Sequence, residues 1–374
     1  MNRTPRVALV HDWLTGMRGG ERCLEVFCEL FPDADLFTLL HVPGSVSPVI
    51  ERRRIVTSFL QRLPDVAARY RYYLPLFPAA MARFDFSGYD LVLSSSHAVA
   101  KAARKASGAT HVCYCFTPMR YIWDLYDDYF GRGAPLALRT VMPPVAAALR
   151  RWDRRTSARV DRFIGISRFV AERIRRVWSR DADVIYPPVD VARFTIAPEP
   201  DDFYLVVSAL VPYKRVDLAV AAATRMNRRL LVVGSGPERR RLATLAGPGV
   251  EFLGWRDDRE VAALYARCRA VLFPSLDDFG IVPLEAMASG RPVVAFGAGG
   301  ARETVIGLEG TAEATPTGVF FDVQSVDALA QAMATAEANL SRFEPKALRA
   351  RAEAFDRPRF RECYARYVAE VAGC

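Results

Sequence analysis

Short apolar runs bounded by turn residues recur along the chain. Each is followed by a longer segment whose apolar positions return every three or four residues. That alternation predicts parallel strands covered by helices. Arg6–His11 reads as the first strand, ending in polar Asp12, and the glycine-rich turn from Gly16 to Gly20 opens a helix to about Leu30. Tyr89–Ser96 and His111–Thr117 read as further strands with a helix, Ala98–Ala106, between them. Phe163–Ile166, the helix Ser167–Trp178 and Val184–Tyr186 complete a first set. Tyr186–Pro200 is rich in proline and turn residues, as linkers are. Alternation then restarts: strands at Phe203–Val207, Arg229–Val233, Val250–Leu253 and Ala270–Phe273 are interleaved with helices beginning at Lys214, Pro237 and Asp257. Ser325–Leu340 and Pro345–Val371 read as amphipathic helices. The expected fold is α/β, two doubly wound Rossmann-like domains at residues 1–190 and 191–374.

Length agrees, since 374 residues exceed one ordinary core. No stretch approaches the ~20 uninterrupted apolar residues of a membrane span, and Arg3 and Arg6 lead directly into the first strand, so a cytoplasmic protein is expected. The seven cysteines show no paired C-x-x-C spacing, which argues against a zinc site or a disulfide framework; Cys113 and Cys115 alternate on one strand and read as core. Charge is uneven: 28 basic against 19 acidic residues through Asp190, and 23 of each from there on. Nucleic acid is one partner for a basic domain, yet no aromatic–basic recognition motif is present. An anionic membrane face or a diphosphate-linked acceptor fits better. Ile50 to Phe86 mixes arginines with aromatic and aliphatic residues, which suits either a helix lying in a membrane interface or one packed on its own domain.

The densest candidate chemistry lies between Phe273 and Gly300. A loop joins the strand Ala270–Phe273 to a helix with Pro283 in its first turn. The amides of Phe279, Gly280, Ile281 and Val282 then point along that helix, and its unpaired donors and partial positive charge suit a phosphate or diphosphate. Gly280 lets the anion approach. Asp277 on the strand side and Glu285, expected inside the first turn, flank this seat as acceptors for sugar or ribose hydroxyls.

Other candidates sit at strand ends. Lys214 and Arg215 follow Phe203–Val207 and would offset charge growing on a departing diphosphate. His97 ends Tyr89–Ser96, where open parallel sheets bind ligands. Gly19 and Gly20 form a second anion or sugar seat, or a plain turn. Arg120, Tyr121 and Trp123 suit a carbohydrate acceptor or simple core packing. Gly234-Ser-Gly236 invites a dinucleotide reading, but the third glycine is absent. Asp33-Ala-Asp35 and Asp181-Ala-Asp183 read as solvated carboxylates rather than as metal ligands.

Asp277-x7-Glu285 with Phe279-Gly280 and Glu285-Ala-Met-Ala-Ser-Gly-Arg-Pro-Val-Val resembles the E-x7-E signature of retaining glycosyltransferases of family 4, which have the two-domain GT-B fold. The resemblance covers nearly the whole chain. It implies a nucleotide-sugar bound in the cleft between the domains, with Glu285 on the ribose, Asp277 and His97 on the donor sugar, the Gly19–Gly20 loop facing the cleft, and a last helix crossing back to the first domain. It implies no metal. Two positions depart from the pattern: the family's first Glu is Asp277 here, and its usual Arg five residues before Lys214 is Ala209. Val10–Gly16, Thr117–Tyr121 and Ala209–Asp217 are most similar to mannosyltransferases that build bacterial O-antigen or exopolysaccharide on a lipid diphosphate, implying a GDP-mannose donor. A UDP-sugar donor, or a sugar-nucleotide-binding protein without turnover, stays open.

Overall fold

The computed structural model describes residues 5–131, 135–310 and 315–373; Arg3, named above, and Cys374, the last of the seven cysteines, lie outside them. The chain divides into two compact units, Met1–Pro187 with Phe360–Cys374, and Pro188–Arg359.

The first unit is built on seven parallel strands: β1 (Val7–His11), β2 (Asp35–Thr38), β3 (Ile55–Thr57), β4 (Leu91–Ser96), β5 (Thr110–Cys115), β6 (Arg162–Gly165) and β7 (Asp183–Val184), in the order β3-β2-β1-β4-β5-β6-β7. Its longer α-helices ahead of Pro187 are α1 (Gly19–Leu30), α2 (Leu136–Ser157) and α3 (Arg168–Trp178). Strands buried on both faces read as continuous apolar runs, and β4 and β5 are buried almost throughout. Tyr70, Leu74 and Phe77 pack with Ala146 and Leu149 of α2 in one core with Ala8, Val10 and Val92 of the sheet. Full burial of such a side chain contributes about 1.5–3 kcal/mol.

The second unit has six parallel strands, β8 (Tyr204–Val207), β9 (Leu230–Val233), β10 (Val250–Gly254), β11 (Ala270–Phe273), β12 (Val293–Phe296) and β13 (Gly318–Phe321), ordered β10-β9-β8-β11-β12-β13. Around them lie α4 (Val216–Arg225), α5 (Arg239–Leu245), α6 (Asp258–Arg267), α7 (Ile281–Ala288), α8 (Val326–Ala338) and α9 (Pro345–Glu353). The caps explain the starts legible in the sequence. Asp257 accepts from the amides of Arg259 and Glu260 at 2.9 Å each, and Ser167 and Ser325 do the same for α3 and α8. The last helix, α10 (Arg357–Ala372), belongs to the first unit from Phe360 on, where Tyr364 stacks on Phe27 at 4.2 Å. Among the described residues no helix is long and apolar enough to cross a membrane.

Several expectations need correction. Ala98–Ala106 is not a helix: one 3-10 turn, Ala100–Ala102, is all that forms, because the amides of residues 97–100 are committed to the carboxylate of Asp12. Pro345–Val371 breaks between α9 and α10, where Val189 bonds across to Phe355 and Arg357 and the Asp356 carboxylate caps the new start. Ile50–Phe86 is strand β3 and a series of short turns and helices, not one interfacial helix. Strands β2, β3, β12 and β13 were not anticipated. Asp35 is not a solvated carboxylate, since it opens β2, accepts the Tyr89 hydroxyl and pairs with Arg54 at 3.3 Å.

Cys113 and Cys115 are core residues of β5. Beside them His111 is fully buried, hydrogen-bonded to Ser94 Oγ at 2.8 Å, and burial pushes its pKa down to about 4. A depressed imidazole is protonated in the unfolded chain first. Stability present above pH 6.5 is therefore expected to fall as the pH drops from 6.5 toward 4, by about 3 kcal/mol in total from this residue. Urea unfolding of wild type and His111→Gln at pH 7 and pH 4.5 checks it: the variant should show the flatter dependence.

Candidate functional site

In an open parallel sheet, ligands bind beyond the carboxyl ends of the strands where the order reverses. In the second unit that point lies between β8 and β11. The loop after β8 ends in Lys214; the loop after β11 runs from Pro274 to Gly280 and enters α7. Gly280 caps α7 with φ of +95°, a conformation that side-chain-bearing residues rarely adopt. The turn is braced from behind, where Gly300 N–H donates to Asp277 O at 2.9 Å, and a Cβ on Gly300 would lie 2.2 Å from Phe279 Cα. The amides of Ile281 and Val282 then head the helix, as an anion seat requires.

Lys214 and Asp277 are brought together, Nζ to Oδ2 at 2.6 Å, with both side chains mostly buried. Arg215 has other partners. It caps α4 with φ of +50° and pairs with Asp217 at 3.2 Å, with Gln324 at 3.5 Å. Glu285 is not in the first turn: α7 begins at Ile281, so this acid is its fifth residue. There the hydroxyl of Tyr265, on α6, donates to Glu285 Oε2 at 2.9 Å. Burial, then the Glu285 charge, raises the pKa of that phenol well above its ordinary value and keeps it a donor. One carboxylate oxygen is thereby anchored. Tyr265 was missed because it falls in the apolar phase of α6.

The reversal in the first unit lies between β1 and β4, and it gathers Asp12 and His97. Asp12 is completely buried. Its Oδ2 accepts from the amides of His97 and Ala98 (2.7 and 2.9 Å) and its Oδ1 from those of Val99 and Ala100 (2.6 and 2.8 Å). His97 Nδ1 lies 3.2 Å from Oδ2. Burial lowers the His97 pKa against the opposing pull of Asp12, so the neutral ring carries its proton on Nδ1 and offers Nε2 as an acceptor. Gly19 and Gly20 open α1 alongside. A Cβ on Gly20 would touch Phe116 and His11, and Glu21 accepts from the Arg18 amide at 3.0 Å. Burial works against the Glu21 carboxylate, but the hydrogen bond and charge of His11 outweigh it and hold its pKa below the ordinary value.

Of the three residues read as an acceptor surface, Trp123 has a packing role. Its indole N–H donates to buried Asp153 at 2.9 Å, and Arg150 and Arg154 cover its ring. Tyr121 packs against the core with its hydroxyl buried, and Arg120 is half-buried beside it. The Gly234–Gly236 segment serves a backbone contact: Leu210 N–H donates to Ser235 O and Gly234 N–H to Gly254 O.

Two all-parallel, doubly wound domains with polar residues gathered at both reversal points define the GT-B class of glycosyltransferases. The chain belongs to glycosyltransferase family 4: the family model for that family matches residues 17–193, and the model for glycosyl transferases group 1 matches residues 191–354. Sucrose-phosphate synthase from Thermosynechococcus elongatus superposes with a TM-score of 0.71 at 20% identity, covering 98% of this chain and 99% of that one. Anabaena HepE in complex with UDP-glucose gives 0.69 at 18% identity, covering 97% and 99%. A GDP-mannose-dependent alpha-mannosyltransferase of Mycolicibacterium smegmatis is 31% identical over 49% of this chain and 50% of its own length. A GDP-mannose-dependent monoacylated alpha-(1-6)-phosphatidylinositol monomannoside mannosyltransferase of Corynebacterium glutamicum is 30% identical over 56% of this chain and 66% of its own. The chain thus spans about half to two thirds of the length of these curated relatives.

Proposed function

We propose that this protein is a retaining hexosyltransferase that moves mannose from GDP-mannose to a saccharide acceptor, carried on a lipid diphosphate, in bacterial O-antigen or exopolysaccharide synthesis. The observation that carries the reading is the second unit's reversal point, where Lys214 pairs with Asp277 ahead of α7, the helix that bears the Tyr265-anchored Glu285. The names of the relatives matched at about 30% identity support the donor. A UDP-sugar donor is the second reading, favoured by the UDP-glucose complex among the structural neighbours.

In this reading the amides of Phe279, Gly280, Ile281 and Val282 with Lys214 hold the diphosphate, Glu285 takes the ribose hydroxyls, and Asp277 and His97 fix the hexose. Lys214 and the helix-end dipole carry the charge of the leaving group, and no metal is called upon. The bond from the anomeric carbon to the diphosphate oxygen breaks as the acceptor oxygen bonds that carbon from the same face. The acceptor's proton passes to the departing phosphate oxygen. Gly19 and Gly20 serve the donor, Arg120 and Tyr121 the acceptor, and the enzyme works on the cytoplasmic face of the membrane that bears its acceptor.

Thermal-shift measurements with GDP-mannose, UDP-glucose and ADP-glucose test this. A ligand at a hundred times its Kd stabilises by about 2.7 kcal/mol, and GDP-mannose is expected to give the largest shift. Glu285→Ala should abolish it. An unchanged shift in that variant removes the ribose role, and a larger shift with UDP-glucose selects the second reading.

A further inference from the structure

Helix α2 is buried on one side only. Met142, Ala146 and Leu149 enter the core, whereas Leu136 and Val141 are 71% and 57% exposed, and Pro144 and Ala148 are exposed between turns. From residue 136 to 148 the one charged side chain is Arg139. The one hydroxyl there, Thr140, is turned back onto the carbonyls of Leu136 and Ala137 at 3.2 and 3.0 Å. Water therefore meets between three and four turns, about 20 Å of helix, with almost nothing to solvate.

Beyond residue 148 the same helix changes character. Arg150, Arg151, Arg154 and Arg155 follow, and its single acid, Asp153, is buried against Lys101. The Arg150 guanidinium lies over Trp123 and Tyr126 (5.6 and 5.2 Å) and donates to Ile122 O, whereas Arg151, Arg154 and Arg155 are exposed. The neighbouring short helix Tyr126–Phe130 adds Tyr129, 47% exposed, with Asp127 and Asp128 offsetting part of the charge.

An apolar tip followed by an arginine collar matches the boundary between acyl chains and anionic headgroups. A second copy of the chain fits less well, because a few side chains along one helix fall short of the roughly 800 Å² per partner of a stable interface. We propose that the exposed half of α2, with Tyr129, is the surface by which the first unit docks on an anionic lipid bilayer, Leu136 and Val141 entering the interface and the arginines meeting phosphates. This deepens the reading of a lipid-borne acceptor and relocates the membrane contact from Ile50–Phe86.

Flotation of the purified full chain with vesicles of phosphatidylglycerol and phosphatidylcholine at about 3:7 tests the assignment. Wild type should float, less so as salt rises, and weakly on phosphatidylcholine alone. Leu136→Glu/Val141→Glu should lower partitioning about tenfold or more, with unfolding and any sugar-nucleotide thermal shift unchanged. Arg151→Gln/Arg155→Gln should lose the preference for the anionic vesicles while keeping the weak binding. Flotation of the double glutamate variant at the wild-type level overturns the proposal, as does wild type that ignores both vesicles, or a concentration-dependent dimer that the variant abolishes without any vesicle binding. Because sugar-nucleotide binding is read separately, its loss condemns the proposed donor chemistry and leaves the docking surface standing.

Discussion

Replacing Lys214 by Met is expected to lower turnover with GDP-mannose by 10²–10³-fold, about 3–4 kcal/mol of transition-state stabilisation, with a smaller effect on donor affinity. The asymmetry follows from the site. In the proposed reading the head of α7 also holds the resting donor's phosphates, and the substitution leaves it in place. The charge that grows as the diphosphate departs needs a cation, and Arg215 cannot step in while its guanidinium is held by Asp217 and Gln324. A second consequence is specific to this chain. Lys214 sits 2.6 Å from Asp277, so its loss bares a carboxylate toward the anion. Adding Asp277→Asn should therefore restore part of the donor affinity lost by Lys214→Met, while turnover stays low. Steady-state kinetics and donor hydrolysis without acceptor measure both effects. A kcat within tenfold of wild type removes Lys214 from leaving-group chemistry, and a double variant that binds no better than the single one removes the coupling.

How much of this was legible depends on how far apart the interacting groups lie in sequence. Strand β11, the loop after it and the proline in the first turn of α7 are local, set by an apolar run, a glycine and a proline, and they read directly. The reversal-point positions of Lys214 and His97 followed because a strand end is visible from its own residues. Asp12 shows the limit. As a polar residue after β1 it carried no sign that four amides and an imidazole 85 and more residues away converge on it, and the same fact hid the failure of Ala98–Ala106 to form a helix. Tyr265 illustrates a second limit, because a hydroxyl that reaches the Glu285 carboxylate looks, by periodicity, like one more core ring. The Ile50–Phe86 region, which holds β3, was misread for a third reason. Arginines laid over aromatic faces, as Arg83 is over Phe59 at 4.7 Å, produce the same alternation whether the partner is a membrane or the protein's own core.

Trp123 belongs to the same class of ambiguity, and what holds it gives a large stability effect. Lys101 and Asp153 are both fully buried. Lys101 Nζ reaches Asp153 Oδ1 at 3.1 Å, donates to Asp153 O and Thr156 Oγ1 at 2.8 and 2.9 Å, and lies 4.7 Å over Trp178. The indole N–H groups of Trp123 and Trp178 both donate to Asp153 Oδ2, at 2.9 and 2.6 Å. Removing one charge leaves the other desolvated and unpaired, so Asp153→Ala is expected to cost about 3–5 kcal/mol of first-unit stability. Removing both charges should cost less than the sum of the single changes, since an apolar pair of similar volume escapes the desolvation penalty. Urea unfolding followed by tryptophan fluorescence reports this region directly, with the two units treated as separate transitions. An Asp153→Ala cost within the ~0.5 kcal/mol of an ordinary surface change, or strict additivity with Lys101→Met, would mean that the network is solvated and that Trp123 is free to turn outward to a saccharide after all.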